Sequence, residues 1–211
     1  MIKQRKRWWI LFIVSMGVMV PFAYPYLIFD PAKSRIDITS NAIQYPALVI
    51  HIIFAFIAIV TGFLQFIDRI RIKNPTVHRN MGKAYVISIF FSGMLAFVLF
   101  FYAEHFTKAM AFMVLAILWL LTTWKAYRAA VCKHFNDHRK WMIRSFSITL
   151  VAVSARLLVP LLLVGYALFN RFTLPGGREW MINEILNINI WVGLVLNLII
   201  VEWFILSKYS R

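Results

Sequence analysis

Cysteine is almost missing: Cys132 stands alone in 211 residues, which excludes an internal disulfide and any multi-cysteine metal site. Acid is scarce too, with 8 Asp+Glu against 23 Lys+Arg. Charged residues of both signs make up only 15% of the chain, where a soluble domain carries roughly a quarter. What remains is apolar: 62% of the residues are hydrophobic and 17% aromatic. A disordered chain lacks apolar residues, and a water-soluble globule of this size could not hide so many. The composition is that of an all-α, polytopic transmembrane helix bundle forming a single membrane domain over residues 1–211.

Six apolar runs are long enough to cross about 30 Å of hydrocarbon. They cover residues 8–28, 46–67, 84–102, 109–127, 145–169 and 187–207. The first follows a basic start that imitates a signal peptide. It is of full spanning length, no small-x-small site follows it, and Pro21 and Pro25 break its outer end. It is therefore expected to be retained as a helix. The fifth and sixth runs are read as unbroken spans. The connections are short, so any site is expected inside the bundle or at its cytoplasmic face, with the outer loops 29–45 and 170–186 as capping loops.

The net charge of +15 would suggest nucleic acid in a soluble chain. Here the cations sit at the ends of apolar runs, so the partner is the lipid bilayer and not nucleic acid. Seventeen Lys and Arg fall on one side of the six runs, five on the other, and Arg156 inside a run. By the positive-inside rule both termini are cytoplasmic. Trp8, Trp9, Tyr26, Tyr102, Trp124, Trp141 and Tyr209 fall near run ends, as interfacial aromatics do.

His51, Arg156 and Glu202 are ionisable groups inside runs, where such groups are rare and default to functional hypotheses. Counting along the helix puts His51 roughly 7 Å below the outer end of the second run. Arg156 falls roughly 16 Å past the inner edge of the fifth, near the middle of the core. A guanidinium there cannot deprotonate and needs an acceptor. Glu202, about 8 Å from the inner end of the sixth run, is the acid available to it. The pair is either a structural ion pair or part of an anion or cofactor-carboxylate site.

His78-Arg79 precedes the third run and His138-Arg139 the fifth, sixty residues later. This echo is compatible with parallel repeats, and equally with two helices that happen to open on His-Arg. His138, Met142, Ser145, Thr149, Ala152 and Arg156 share one helical face, and His78, Gly82, Tyr85 and Ser92 mark a similar stripe. Packing alone would give both stripes. His78 and His138 also match in depth, and two facing histidines are the minimum for bis-imidazole haem b. Arg79 and Arg139 are then candidate propionate partners, and His51 with Arg156 candidates for a quinone or second haem. Against this, both histidines fall outside the hydrocarbon edge. His134 and His138, at i and i+4, lack the motif of a metal site, and no metal is expected. No Walker loop, serine nucleophile elbow or dinucleotide-binding glycine run is present, so no catalytic residue or enzyme activity is assigned.

The stretches His78-Arg79-x-x-Gly82-x-x-Tyr85 and His138-Arg139-x-Trp141-Met142-Ile143-Arg144-Ser145, with His51 and Trp119, carry a resemblance. Over about residues 47–160 the chain resembles the bacterial membrane-protein family catalogued as domain of unknown function 2306. The resemblance implies a multi-pass protein of the bacterial plasma (inner) membrane and singles out His51, His78, His138 and Arg156. It supplies no reaction. In layout, though not in motif, the chain is similar to cytochrome b561-like bundles. Three functions are compatible with these residues. One is a haem-b electron-transfer protein serving a membrane redox partner or quinone. Another is a small transporter or channel subunit using His51, Arg156 and Glu202. The last is a structural or assembly protein without catalysis.

Overall fold

The computed structural model describes residues 2–209, with side chains from 6 to 207. Of the residues used above for orientation and interface, Lys3, Arg5, Lys208, Tyr209 and Arg211 lie outside the described side chains. Every regular element among the described residues is helical. The helices are α1 (Ile2–Ala23), α2 (Gln44–Gln65), the short α3 (Asp68–Lys73), α4 (Pro75–Phe100) and α5 (Phe106–Val131). They are followed by α6 (Phe135–Thr149), α7 (Val151–Leu157), α8 (Val159–Phe169) and α9 (Gly177–Ile199). Five helices are long and apolar enough to cross a membrane, or six spans if the bent pair α7–α8 counts as one.

The core is a ring of four helices. α2 packs on α4, α4 on α5, α5 on α6, and α6 closes back on α2. α4 and α6 therefore face each other across a diagonal and run in the same direction. α1 is added on the α2 and α7 side, and α9 on α7, α5 and α6. Rings seat the start of α1: Trp8 meets Phe63, Phe66 and Phe146 at 5.1, 5.3 and 5.8 Å between centroids. The same contacts put the start of α1 beside the end of α2, at the end of the bundle that carries most of the cations. That end is called the basic end below. Glycine sets the closest approach in the core, because a Cβ at Gly62 would run into the rings of Phe146 and Tyr85.

The first span reaches Ile28 with its outer end broken, as expected: the α-helix stops at Ala23 and continues as a 3-10 turn over Tyr24–Ile28, with Pro25 in its first turn. Four expectations are corrected. α4 begins nine residues before the expected start of its span, so His78 lies in a helical turn. The fifth span is not continuous: it breaks at Leu150 and bends by 46° between α7 and α8. Pro160 accounts for the bend, since it has no N–H for the Arg156 carbonyl and its ring crowds that oxygen. The sixth span is not regular either. α9 gives way to a π-helix over Ile200–Ile205, which contains Glu202. At its other end α9 starts at Gly177, so the second capping loop is shorter than expected. Gly176 and Gly177 have φ of 79° and 81°, which explains the Pro-Gly-Gly turn there.

Asn197 on α9 clamps the break. Its amide donates to the Ser147 carbonyl at 2.9 Å, and its carbonyl oxygen accepts from the Ser154 hydroxyl at 2.8 Å. One side chain thus holds both sides of the interruption between α6 and α7.

Candidate functional site

Three polar residues of α4 are spaced by seven: His78, Tyr85 and Ser92. Seven residues are about two helical turns, so the three share the face that looks into the ring. Each meets a different set of partners.

Tyr85, 0% exposed, makes the middle level. Its hydroxyl lies 2.9 Å from the Ser145 hydroxyl and 3.0 Å from that of Thr149. Trp119 Nε1 donates to the Thr149 oxygen at 2.9 Å, and the Thr123 hydroxyl lies 2.7 Å from that of Ser145. Five side chains on α4, α5 and α6 therefore form one buried hydrogen-bonded chain. The two stripes seen in the sequence meet here, on positions 85 and 145, sixty apart.

His51 belongs to the level nearer the other end. Its Nδ1 lies 2.9 Å from the Ser92 carbonyl and 3.0 Å from the Ser92 hydroxyl, which in turn donates to the His51 carbonyl at 3.1 Å. The carbonyl contact fixes a proton on Nδ1. His51 ties α2 to α4, and its hydrogen bonds go to Ser92 rather than to Arg156 or His105. His105 precedes α5, exposed.

At the basic end, two turns from Tyr85 and Ser145 respectively, sit His78 and His138. Both are half-buried, and they are close enough for the charge of one to act on the other. His138 Nδ1 donates to the Ala126 carbonyl of α5 at 2.8 Å, which leaves Nε2 with the lone pair. His78 Nδ1 is buried with no hydrogen-bond partner. Gln65, at the end of α2, donates to the His78 carbonyl at 3.0 Å. Its side chain also lies over Gly82, where a Cβ would sit 3.5 Å from the Gln65 oxygen. Each helix of the ring thus contributes one group: Gln65, His78, the Ala126 carbonyl and His138. Arg79 and Arg139 follow the two histidines and are exposed. No group of three or more His, Cys, Asp or Glu side chains able to hold a metal occurs among the described residues.

Residues 48–205 match the model of a predicted membrane protein family, domain of unknown function 2306. The chain belongs to this family. The DUF2306 match extends past the 47–160 core expected from the motifs and takes in α7, α8, α9 and Glu202. No curated protein and no solved structure matches the chain, so nothing shows the likeness to cytochrome b561-like bundles.

The expected pairing of Arg156 with Glu202 is wrong. Glu202 takes Arg144 instead, with Nε–Oε1 at 2.6 Å and Nη2–Oε2 at 2.9 Å. Both groups lie near the basic end, whereas Arg156 lies further along the span and reaches away from it. Its Nη1 donates to the Ala152 carbonyl at 2.6 Å, and its guanidinium stands 3.5 Å from the centre of the Phe22 ring, next to the end of α1. Trp141 completes the Arg144 cluster, with Arg144 and Lys125 over its ring at 4.6 and 4.4 Å. Sequence reasoning missed Arg144, Gln65 and Phe22 as partners. Arg144 had a usable signal, since it stands at the inner edge of its span, near the depth of Glu202.

Proposed function

We propose that this DUF2306 protein is a membrane electron-transfer protein that binds haem b at the basic end of its four-helix ring, with His78 and His138 as axial ligands. The observation that carries the reading is the pair itself: two half-buried imidazoles on facing, parallel helices, one of them anchored through Nδ1 to a backbone carbonyl. An imidazole held that way presents Nε2 in a fixed direction, as metal-ligating histidines do. The donor set fits the group. The buried Nδ1 of His78 is a polar atom without a partner, of the kind that calls for a functional account. Haem b on two imidazoles supplies one-electron chemistry. Arg79 and Arg139 flank the pair and suit propionates. Tyr85 and its hydroxyl partners fill the ring one level further in. On this reading the basic end and both termini are cytoplasmic, the membrane is the bacterial plasma membrane, and the acceptor is a membrane redox partner or quinone.

The test is a dithionite-reduced minus oxidised spectrum of the detergent-purified full chain, expressed with haem supply. A Soret band with sharp α and β bands is expected, lost in His78→Ala and in His138→Ala while both variants remain folded. A colourless, folded wild-type protein overturns the reading.

Transport is the second reading, favoured by the interruption at Leu158 and the π-helix at Glu202. Interrupted spans are where transporters place their sites. It predicts flux without a chromophore, reduced by Arg156→Gln and unaffected by His138→Ala.

A further inference from the structure

At the end of the bundle opposite the histidine pair, two arginines from distant parts of the chain share one ring. The Arg156 guanidinium lies 3.5 Å from the centroid of Phe22, and that of Arg35 lies 5.6 Å from it. The structure gives each an acceptor on the backbone only. Arg156 donates to the Ala152 carbonyl at 2.6 Å and Arg35 to the Pro21 carbonyl at 3.0 Å. Among the described residues, no carboxylate reaches either one. The nearby Asp30 is engaged by Lys33 at 4.0 Å, and the other two ion pairs are Arg71–Asp68 and Arg144–Glu202. A guanidinium has five N–H donors, so most of those on this pair lack a protein acceptor. Arg35 is exposed and Arg156 half-buried, and two like charges held on one ring repel unless an anion joins them.

A second polar group without a partner lies in the same packed cluster. The Tyr45 hydroxyl is buried and unbonded, and Tyr45 packs with Tyr26, next to Phe22. Tyr26 itself is turned toward the loop, its hydroxyl accepting from the Arg35 backbone N–H at 3.3 Å. The flanks are apolar and open: Val20 and Tyr24, on either side of Phe22 in sequence, and Leu157 and Leu161, after Arg156, are all exposed. The 46° bend between α7 and α8 follows just beyond Arg156.

We propose that Arg35 and Arg156, gathered on the Phe22 ring, form a binding site for the phosphate of a membrane phospholipid headgroup, with the apolar flanks against its acyl chains. Paired guanidiniums suit a phosphate because each can donate two parallel hydrogen bonds. The site is independent of the histidine pair and of haem.

The test is native mass spectrometry of the detergent-purified full chain with phosphatidylglycerol titrated in. A parallel thermal-shift series uses inorganic phosphate alone. Apparent affinity for the lipid is expected to fall roughly fivefold or more in Arg35→Gln and in Arg156→Gln, since each cation near the surface is worth a factor of about that size. Arg171→Gln, at the same end but in another loop, should bind as wild type, and Arg156→Lys should keep part of the affinity. If the lipid does not bind but inorganic phosphate stabilises the wild type and not Arg156→Gln, the site stands and its ligand is a free anion. Should Arg156→Gln fail to fold, Arg35→Gln, whose residue lies in a loop, decides. Lipid and phosphate behaviour identical to wild type in the arginine variants overturns the proposal.

Discussion

Tyr85 shows how one residue organises this core. Its ring fills the middle of the four-helix ring and its hydroxyl joins α4 to α6. Removing the hydroxyl alone should be mild, because a hydrogen bond between membrane helices is worth about 0.6 kcal/mol on average and about 1.7 at most. Tyr85→Phe should therefore lower the midpoint of thermal unfolding in detergent by a few degrees at most. Tyr85→Ala also opens a cavity, and aromatic-to-alanine core changes cost about 3–5 kcal/mol. It should shift the midpoint several times further. Equal shifts for the two variants would show that the hydroxyl, and not the ring, carries the contribution. Gly62→Ala tests the same spot from the other side: its Cβ meets two rings, and overpacking costs about 1–3 kcal/mol. A variant as stable as wild type would mean that Phe146 moves aside freely.

The Arg144–Glu202 pair is 25% and 42% exposed, which limits its worth despite good geometry. A double-mutant cycle with Arg144→Gln and Glu202→Gln should give a coupling of about 0.2–1 kcal/mol. A value of several kcal/mol would require a drier environment than this exposure allows. The sequence offered both residues but not the pairing. Counting along each helix gives depth, and it placed Glu202 near the basic end. It does not give rotation about the axis or the direction of a long side chain, so Arg156 looked as good a partner as Arg144.

Among the elements, the fifth span is where the sequence reading fell shortest. Hydropathy runs through 145–169 without a gap, because a bend costs no apolar residues. Pro160 was the available signal, and its missing N–H falls opposite Arg156. Pro160→Ala should straighten α7–α8. Spin labels at Asn136 and Leu168, in a chain with Cys132 replaced by Ser, should then move apart. An unchanged distance would assign the bend to packing against α9. Asn197 should matter to the same region. Asn197→Leu removes its bonds to Ser147 and Ser154, and hydrogen exchange should speed up around Leu150 before it does in α2 or α4. Uniform exchange across the helices would sink that expectation.

For the whole molecule, the cation count makes a prediction about sidedness. Cys132 is exposed at the basic end, in the turn between α5 and α6. In intact cells it should react with a membrane-permeant maleimide and resist an impermeant one until the cells are broken. Labelling by the impermeant reagent in intact cells would invert the orientation.

Residue order alone was enough for the membrane class, for the approximate places of five to six spans, and for membership of DUF2306. Each of these rests on composition or on local order, which a linear reading holds in full. It also marked His78, His138, Tyr85 and Ser145 by spacing alone, since helical period converts residue number into face. Only the tertiary structure decided that α4 and α6 are opposite each other, that Glu202 belongs to Arg144, and that Arg156 joins Arg35 at Phe22. Arg144 and Glu202 are 58 positions apart, and Arg156 meets Phe22 from a separate helix while Arg35 reaches it from a loop. Which helix stands next to which is set by side-chain packing and by glycines such as Gly62, not by anything periodic along the chain.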